Sequence, residues 1–217
     1  MARPRKQDAR DLRLLAIDAA ISLLTQRESP DLSMAEVARM IGCSAPALYA
    51  HFADKDDLLD TVRQTVLERQ TAGKKRRYER PTKSALENLA DGGHAYLDNA
   101  ARAPAIYRLI YCRTPKSEEA TEAVSHPALT ALARGVAACQ AEGYATEHAP
   151  EEVARMLWSM VHGAALLALD SAEGQRADAW RDAHRCVDLA MALIRSEDAG
   201  RLGIPISVPS KTEGPKR

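Results

Sequence analysis

Strand signals are scarce in this 217-residue chain: it holds one phenylalanine, two tryptophans and six tyrosines, and alternating runs of β-branched or aromatic residues are absent. Apolar residues recur instead at helical spacing nearly throughout, which predicts an all-α fold of about nine helices. Long apolar runs are missing too. The longest uncharged one, Val161 to Leu169, is too short to cross a bilayer, and MARPRKQDARDLR is too charged for the apolar core of a signal peptide. The expectation is a cytoplasmic protein with no membrane partner.

Cys43, Cys112, Cys139 and Cys186 form no C-x-x-C pair, so no zinc ribbon or dithiol is built locally, and buried reduced thiols are expected. Charge of one sign is not in excess, with 30 basic against 30 acidic side chains, which excludes bulk adhesion to nucleic acid but not a local basic patch. Residues 1–80 carry 15 basic and 12 acidic groups, a small surplus. Catalytic signatures are absent as well: no G-x-S-x-G, H-E-x-x-H, phosphate-binding loop or dinucleotide fingerprint occurs. No catalytic residue, metal or cofactor is therefore expected.

What is present is a series of helix starts and stops. The first helix is expected from about Asp8 to Arg27, with Leu12, Leu15, Ala16, Ala19, Leu23 and Leu24 on one stripe and Glu28-Ser29-Pro30-Asp31 as its breaker. Ser33 and Glu36 form an S-x-x-E capping box before a two-turn helix that Gly42 stops. Ser44 caps the next, over Ala45 to Ala50, with Pro46 in its first turn. Asp54 caps a helix from Lys55 to about Gln70, ended by Gly73 and Lys74-Lys75-Arg76-Arg77, and a domain boundary is placed near residue 75.

Beyond it, a second box of Ser84 and Glu87 opens a helix to about Arg102, and Pro104 begins a short one carrying Ile106, Tyr107, Leu109, Ile110 and Tyr111. Arg113 to Ser125 reads as a loop. Pro127 is expected to open a helix to about Glu142, Pro150 another to about Asp170, and a last one spans about Ala177 to Glu197. The tail from Gly200, with Pro205, Pro209 and Pro215, is expected to be frayed.

Residues 33–52, SMAEVARMIGCSAPALYAHF, have the layout of a helix-turn-helix. Val37, Ala38 and Ile41 on one side and Leu48 with Phe52 on the other supply the apolar contacts that hold two short helices at an angle. In such a pair the second helix enters the major groove while the first crosses the backbone. A plain helical hairpin shares this layout.

With Ala19-Ala20, Leu23-Leu24, Ser33, Val37-Ala38, Gly42, Ser44, Leu48-Tyr49, His51-Phe52, Lys55 and Leu58-Leu59, residues 8–70 resemble the amino-terminal domain of the TetR/AcrR family of bacterial transcriptional regulators. The resemblance implies a DNA-binding domain over residues 1–75, a helical regulatory and dimerisation domain over 76–199 and a flexible tail over 200–217. It also implies that Ser33, Ser44, Tyr49, His51 and Lys55 lie against DNA. Hydroxyl and ammonium groups do donate to phosphate oxygens, and a helix start carries partial positive charge.

Ala45, Pro46 and Ala47 depart from the family pattern, which more often has a polar residue, a glycine and a threonine or serine there. Base readout from them is limited to thymine methyl contacts or shape. The arm Arg3-Pro4-Arg5-Lys6 is either a minor-groove reader or a solvated tail, and Lys74 to Arg80 reads as a solvated interdomain segment.

Trp158-x-x-x-His162-Gly163 resembles the W-x-x-x-H-G signature of one class of TetR-family carboxy-terminal domain. Trp158 and His162 are four apart and share a helix face, with Gly163 removing bulk beside them. A packed core pair and a ligand contact are the two readings. Tyr96, Tyr107, Tyr111, Met156 and Met160 are further candidates for a small-molecule effector pocket.

The last two helices carry small residues, Gly163-Ala164-Ala165 and Ala190-Met191-Ala192, among Val153, Leu157, Val161, Leu189 and Ile194. The resemblance implies that they pair across a two-fold axis as a homodimer. Together these features predict a ligand-responsive repressor of a near-palindromic double-stranded DNA operator. An all-α interaction adaptor without DNA binding is the alternative, and an enzyme using His162 as a base is a third reading.

Overall fold

The computed structural model describes the backbone of residues 6–79, 83–112 and 118–195, and side chains over 12–72, 83–112 and 128–195. The expectations for the Arg3 to Lys6 arm, the Lys74 to Arg80 side chains and the tail from Gly200 lie outside these residues. Among the described residues there are nine α-helices and no strand: α1 (Lys6–Thr25), α2 (Met34–Ile41), α3 (Ala45–Tyr49), α4 (Lys55–Glu79), α5 (Ala85–Arg102), α6 (Pro104–Tyr111), α7 (Glu118–Ala141), α8 (Pro150–Leu169) and α9 (Arg176–Arg195). A 3-10 turn, Glu173–Gln175, leads into α9.

The first core gathers α1 to α4. Ala16, Ala20 and Leu24 of α1 meet Val37 of α2, Leu48 of α3, Phe52, and Leu58 and Val62 of α4, all essentially inaccessible to solvent. Local chemistry sets the angles. Ser33 Oγ accepts from the Glu36 amide at 3.2 Å while the Glu36 carboxylate accepts from the Ser33 amide at 2.7 Å, closing the expected box.

At the other end of α2, Gly42 has φ +75, and the Cys43 amide donates back to the Ala38 carbonyl at 3.0 Å. That left-handed cap turns the chain into α3. The Arg27 guanidinium grips Glu36 at 2.5 Å and the Asp31 carbonyl, and with the Ser33 bonds it holds the Glu36 carboxyl down at about 2. Arg13 lies over the Phe52 ring, 5.2 Å from its centroid.

The second body comprises α5 and α7 to α9, with Leu86, Leu89, Val136, Cys139, Leu157 and Ile194 in one cluster and Leu97, Ala100, Ala165, Ala168 and Val187 in another. At Gly93 α5 runs so close to α9 that a Cβ would lie 2.9 Å from Val187 Cγ1. A polar chain ties the same two helices: His94 Nδ1 and His184 Nδ1 are 2.8 Å apart, His94 Nε2 faces Asp188 at 3.2 Å, and His184 Nε2 faces Asp98 at 3.4 Å.

Several boundaries differ from expectation. α4 does not stop near Gln70 but runs through Gly73 and residue 75 to Glu79. Its Lys and Arg residues are good helix formers and suit a carboxy-terminal turn, which outweighs the roughly 1 kcal/mol cost of an interior glycine. α7 starts at Glu118, so Pro127 sits inside it and part of the predicted loop is helical; its Glu- and Ala-rich opening, EEATEA, sustains the helix upstream of the proline.

Ser44 stands at the amino end of α3 but makes no capping hydrogen bond with its side chain. Of the cysteines only Cys139 is buried; Cys43 and Cys186 are half-buried and Cys112 is exposed, correcting the expectation of four buried thiols, although all are free. A Cβ on Gly163 would meet nothing within 4 Å among the described residues, so within one chain its missing bulk admits no neighbour.

Substituting Gly42 tests the turn between α2 and α3. Gly42→Ala is expected to lower unfolding free energy by about 1 kcal/mol, because a left-handed backbone disfavours a Cβ. Gly42→Asn should lose less, since asparagine tolerates that region. Urea denaturation of the two variants beside the parent checks the order.

Candidate functional site

Two places stand out, one on each body. The first is the outer face of α3. Leu48 is fully buried and anchors the helix on the α1–α4 core, and Ala45 packs against the same cluster. At 100° per residue this turns Pro46 and Tyr49 away from the core, Tyr49 being 54% exposed, and Ser44, just before the helix, is exposed as well. Ala47 and His51 are half-buried at the edge of that face.

Lys55, in the first turn of α4, is exposed and pairs with Asp31 at 3.3 Å, not with Asp56 or Asp57. Asp31 is itself 82% exposed, so the pair is weak and the ammonium is easily drawn to a phosphate. Asp57 is occupied elsewhere: its carboxylate accepts from the Ala53 amide at 2.9 Å, while Asp54 caps the Asp57 amide at 2.8 Å. Ser33 also faces outward, but its hydroxyl already donates to Glu36 and accepts from the Glu36 amide.

The second place is a cavity of about 300 Å³ lined by α5, α6, α7, α8 and α9, with Gln70 of α4. Tyr96 from α5, Tyr107 and Tyr111 from α6, and Trp158 from α8 all line it. His162 stands behind them. Tyr107 Oη lies 2.6 Å and Tyr96 Oη 3.0 Å from His162 Nδ1, and Tyr96 donates to Tyr107 at 3.2 Å. One ring nitrogen accepts only one proton. An order that fits these contacts runs Tyr96 to Tyr107 to His162, with the imidazole proton on Nε2; the Tyr107 hydroxyl also has the His162 carbonyl at 3.4 Å as an acceptor.

The Trp158 indole stacks on the same imidazole, centroids 4.7 Å apart and 7° from parallel. Burial lowers the His162 pKa, which keeps the ring neutral and able to accept. Burial likewise raises Tyr96 and Tyr107 well above the usual phenol range and pushes Tyr111 up to about 12. Two polar atoms of the cavity walls, Trp158 Nε1 and Tyr111 Oη, are buried with no hydrogen-bond partner among the described residues.

Met156 and Met160 do not join the others. Each is two residues from Trp158, about 200° around α8, so Met156 is 47% exposed and Met160 packs on the Leu86 cluster. Sequence reasoning also missed part of the wall: Gly92 and Gly93 of α5, Leu132 of α7, and Val187 and Met191 of α9 line the cavity. The paired glycines inside a helix were the available signal, since glycine there costs stability unless something must approach closely.

Residues 16–62 match the family described as bacterial regulatory proteins, tetR family, and residues 89–194 match the tetracyclin repressor-like C-terminal domain. The chain belongs to the TetR/AcrR family. The HTH-type transcriptional regulator AcrR of Shigella flexneri is 37% identical over 62 residues, which take in 29% of each chain. A TetR-family transcriptional regulator of Pectobacterium atrosepticum superposes with a TM-score of 0.68 at 18% identity, covering 89% of this chain and 99% of that one. SmeT, the repressor of the Stenotrophomonas maltophilia multidrug efflux pump SmeDEF, gives 0.65 at 20% identity, covering 91% and 96%. These two likenesses establish the TetR-type fold.

In this TetR-family chain α6 joins the two places. Ile106, Leu109 and Ile110 are buried in the core of α1 to α4, whereas Tyr107 is buried in the cluster around the cavity, and Tyr111 touches both. The Ala105 amide, free at the start of α6, donates at 3.1 Å to the Arg27 carbonyl just past α1. Arg108 pairs with Asp170 at 2.7 Å at the end of α8, and Arg176 of α9 with Glu28 at 3.0 Å.

The His162 ring sets a pH dependence. Because its folded pKa lies below the unfolded value, its contribution to stability is present above about pH 6.5 and is lost as pH falls through the folded pKa. Urea midpoints at about pH 7.5 and about pH 5.5 should therefore differ in the parent, and by less in His162→Gln. An undiminished difference in the variant removes His162 from that account.

Proposed function

We propose that this chain is a ligand-responsive, DNA-binding transcriptional regulator, a repressor that holds a near-palindromic operator as a homodimer and is released by a small-molecule effector. The observation that carries this is the double burial of α6. A molecule entering the cavity meets Tyr107 and Tyr111, and both belong to the helix whose Ile106, Leu109 and Ile110 are part of the core beneath α3. Close-packed cores transmit such shifts.

In this reading residues 1–75 bind DNA, residues 76–199 sense and dimerise, and 200–217 form a tail. Ser44, Tyr49, His51 and Lys55 hold phosphates, with Ser33 at the rim, and Ala45, Pro46 and Ala47 meet base edges by apolar contact. The weak Lys55 to Asp31 pair supports this, because Lys55 gives up little on meeting DNA. Large apolar side chains exposed on α8 and α9 support the dimer: Met156, Leu189 and Leu193 are about half exposed and Leu167 is 77% exposed.

Two-fold pairing would place two α3 helices on successive half-sites, and the effector would favour a dimer that spaces them wrongly. Full reversal of occupancy requires about 5.5 kcal/mol of differential affinity. SmeT has been solved in complex with triclosan, in keeping with a fold of this kind that accepts a small molecule. The cytoplasm follows as the site of action. A catalytic use of His162 gains no support, since its Nδ1 is occupied by Tyr107.

Gel-shift titration against the DNA beside the chain's own coding sequence tests the proposal. Binding should weaken steeply with salt, and Lys55→Ala should reduce the slope of log K against log salt by about 0.9, one phosphate contact. Tyr49→Phe should weaken binding with little change in slope, because it removes a neutral donor. A duplex that binds with no loss in either variant overturns the assignment of this face.

A further inference from the structure

The cavity's own walls restrict what it can take. Its volume, about 300 Å³, is twice the roughly 150 Å³ that admits benzene, which suits one or two rings. Among the described residues no aspartate, glutamate, lysine or arginine lines it; apart from the aromatic side chains, its polar side chains are Gln70 and Asn99. An ion entering would lose its water and meet no counter-charge. Four aromatic side chains, Tyr96, Tyr107, Tyr111 and Trp158, offer faces and edges to a planar guest.

Hydrogen-bonding capacity narrows the class further. The donors of Tyr96 and Tyr107 are engaged in the chain that ends on His162 Nδ1. Besides the amides of half-buried Gln70 and exposed Asn99, what remains is Trp158 Nε1, which can only donate, and Tyr111 Oη, both buried and without a hydrogen-bond partner among the described residues. We infer that the ligand is an uncharged one- or two-ring aromatic molecule carrying a hydrogen-bond acceptor such as a carbonyl, and that Trp158 and Tyr111 turn to donate to it. The inference rests on the regulatory reading of the same cavity and adds the chemistry of its ligand.

Neither donor atom is reached by solvent, so each side chain must swing about its χ1 to present it. For Tyr111 that rotation occurs at the end of α6, against the core of α1 to α4. The acceptor, rather than the ring that carries it, is then the part of the ligand that α6 senses.

Calorimetric titration of the full-length protein with three probes of similar size tests this: coumarin, with a carbonyl; naphthalene, with no acceptor; and naphthalene-2-carboxylate, an anion. Coumarin should bind about tenfold tighter than naphthalene, and the carboxylate weakest. The double variant Trp158→Phe, Tyr111→Phe keeps an aromatic side chain at both positions but removes both donors, and should erase the preference for coumarin over naphthalene. Equal binding of coumarin and naphthalene in the parent, a preference that survives the double variant, or tightest binding of the carboxylate overturns the ligand class and leaves the cavity reading intact. Binding that persists in the cavity-filling variant Leu132→Trp, or no binding by any probe, overturns the cavity reading and the ligand class with it.

Discussion

Everything in this molecule depends on one eight-residue helix being buried on both sides. Three of the α6 side chains, Ile106, Leu109 and Ile110, complete the core of α1 to α4, each contributing about 2 kcal/mol by leaving water. Tyr107, between them in sequence, completes the other cluster. A helix in that position has no face left on which to yield independently. Any shift of the helix is shared with α1 and α4, and so with the short helix that α1 and α4 support.

The polar contacts around α6 reinforce this without adding much stability. Arg27 commits its guanidinium to Glu36 and Asp31 and its carbonyl to the Ala105 amide, so the end of α1, the start of α2 and the start of α6 meet on one residue. Arg108 with Asp170 and Arg176 with Glu28 bridge the bodies on the outside, where solvent screens them. Packing holds α6, and the Arg108 pair ties it to the end of α8. The neutrality of the cavity has the same origin in burial, since His162 is kept uncharged by it and its lone pair is already taken.

Legibility in the sequence varied with how local the cause was. Ser33 with Glu36, Ser84 with Glu87, Asp54 and Gly42 were readable because caps and left-handed turns act within four residues. The start of α6 at Pro104 was readable for the same reason. Gly73 and Pro127 misled, because a breaker inside a long run of good helix formers loses to its neighbours. Ser44 carried a capping residue type in the capping position, yet its hydroxyl makes no capping bond.

Residue identity therefore settled the helical class, most helix starts and the helix-turn-helix frame, since periodicity, capping and residue type are properties of short windows. Tertiary packing alone decided that Met156 and Met160 turn away from the cavity, that Val187 and Gly93 form part of its wall, and that α6 belongs to two cores at once. Those facts depend on how helices distant in the chain are oriented against one another, and no local window contains that information.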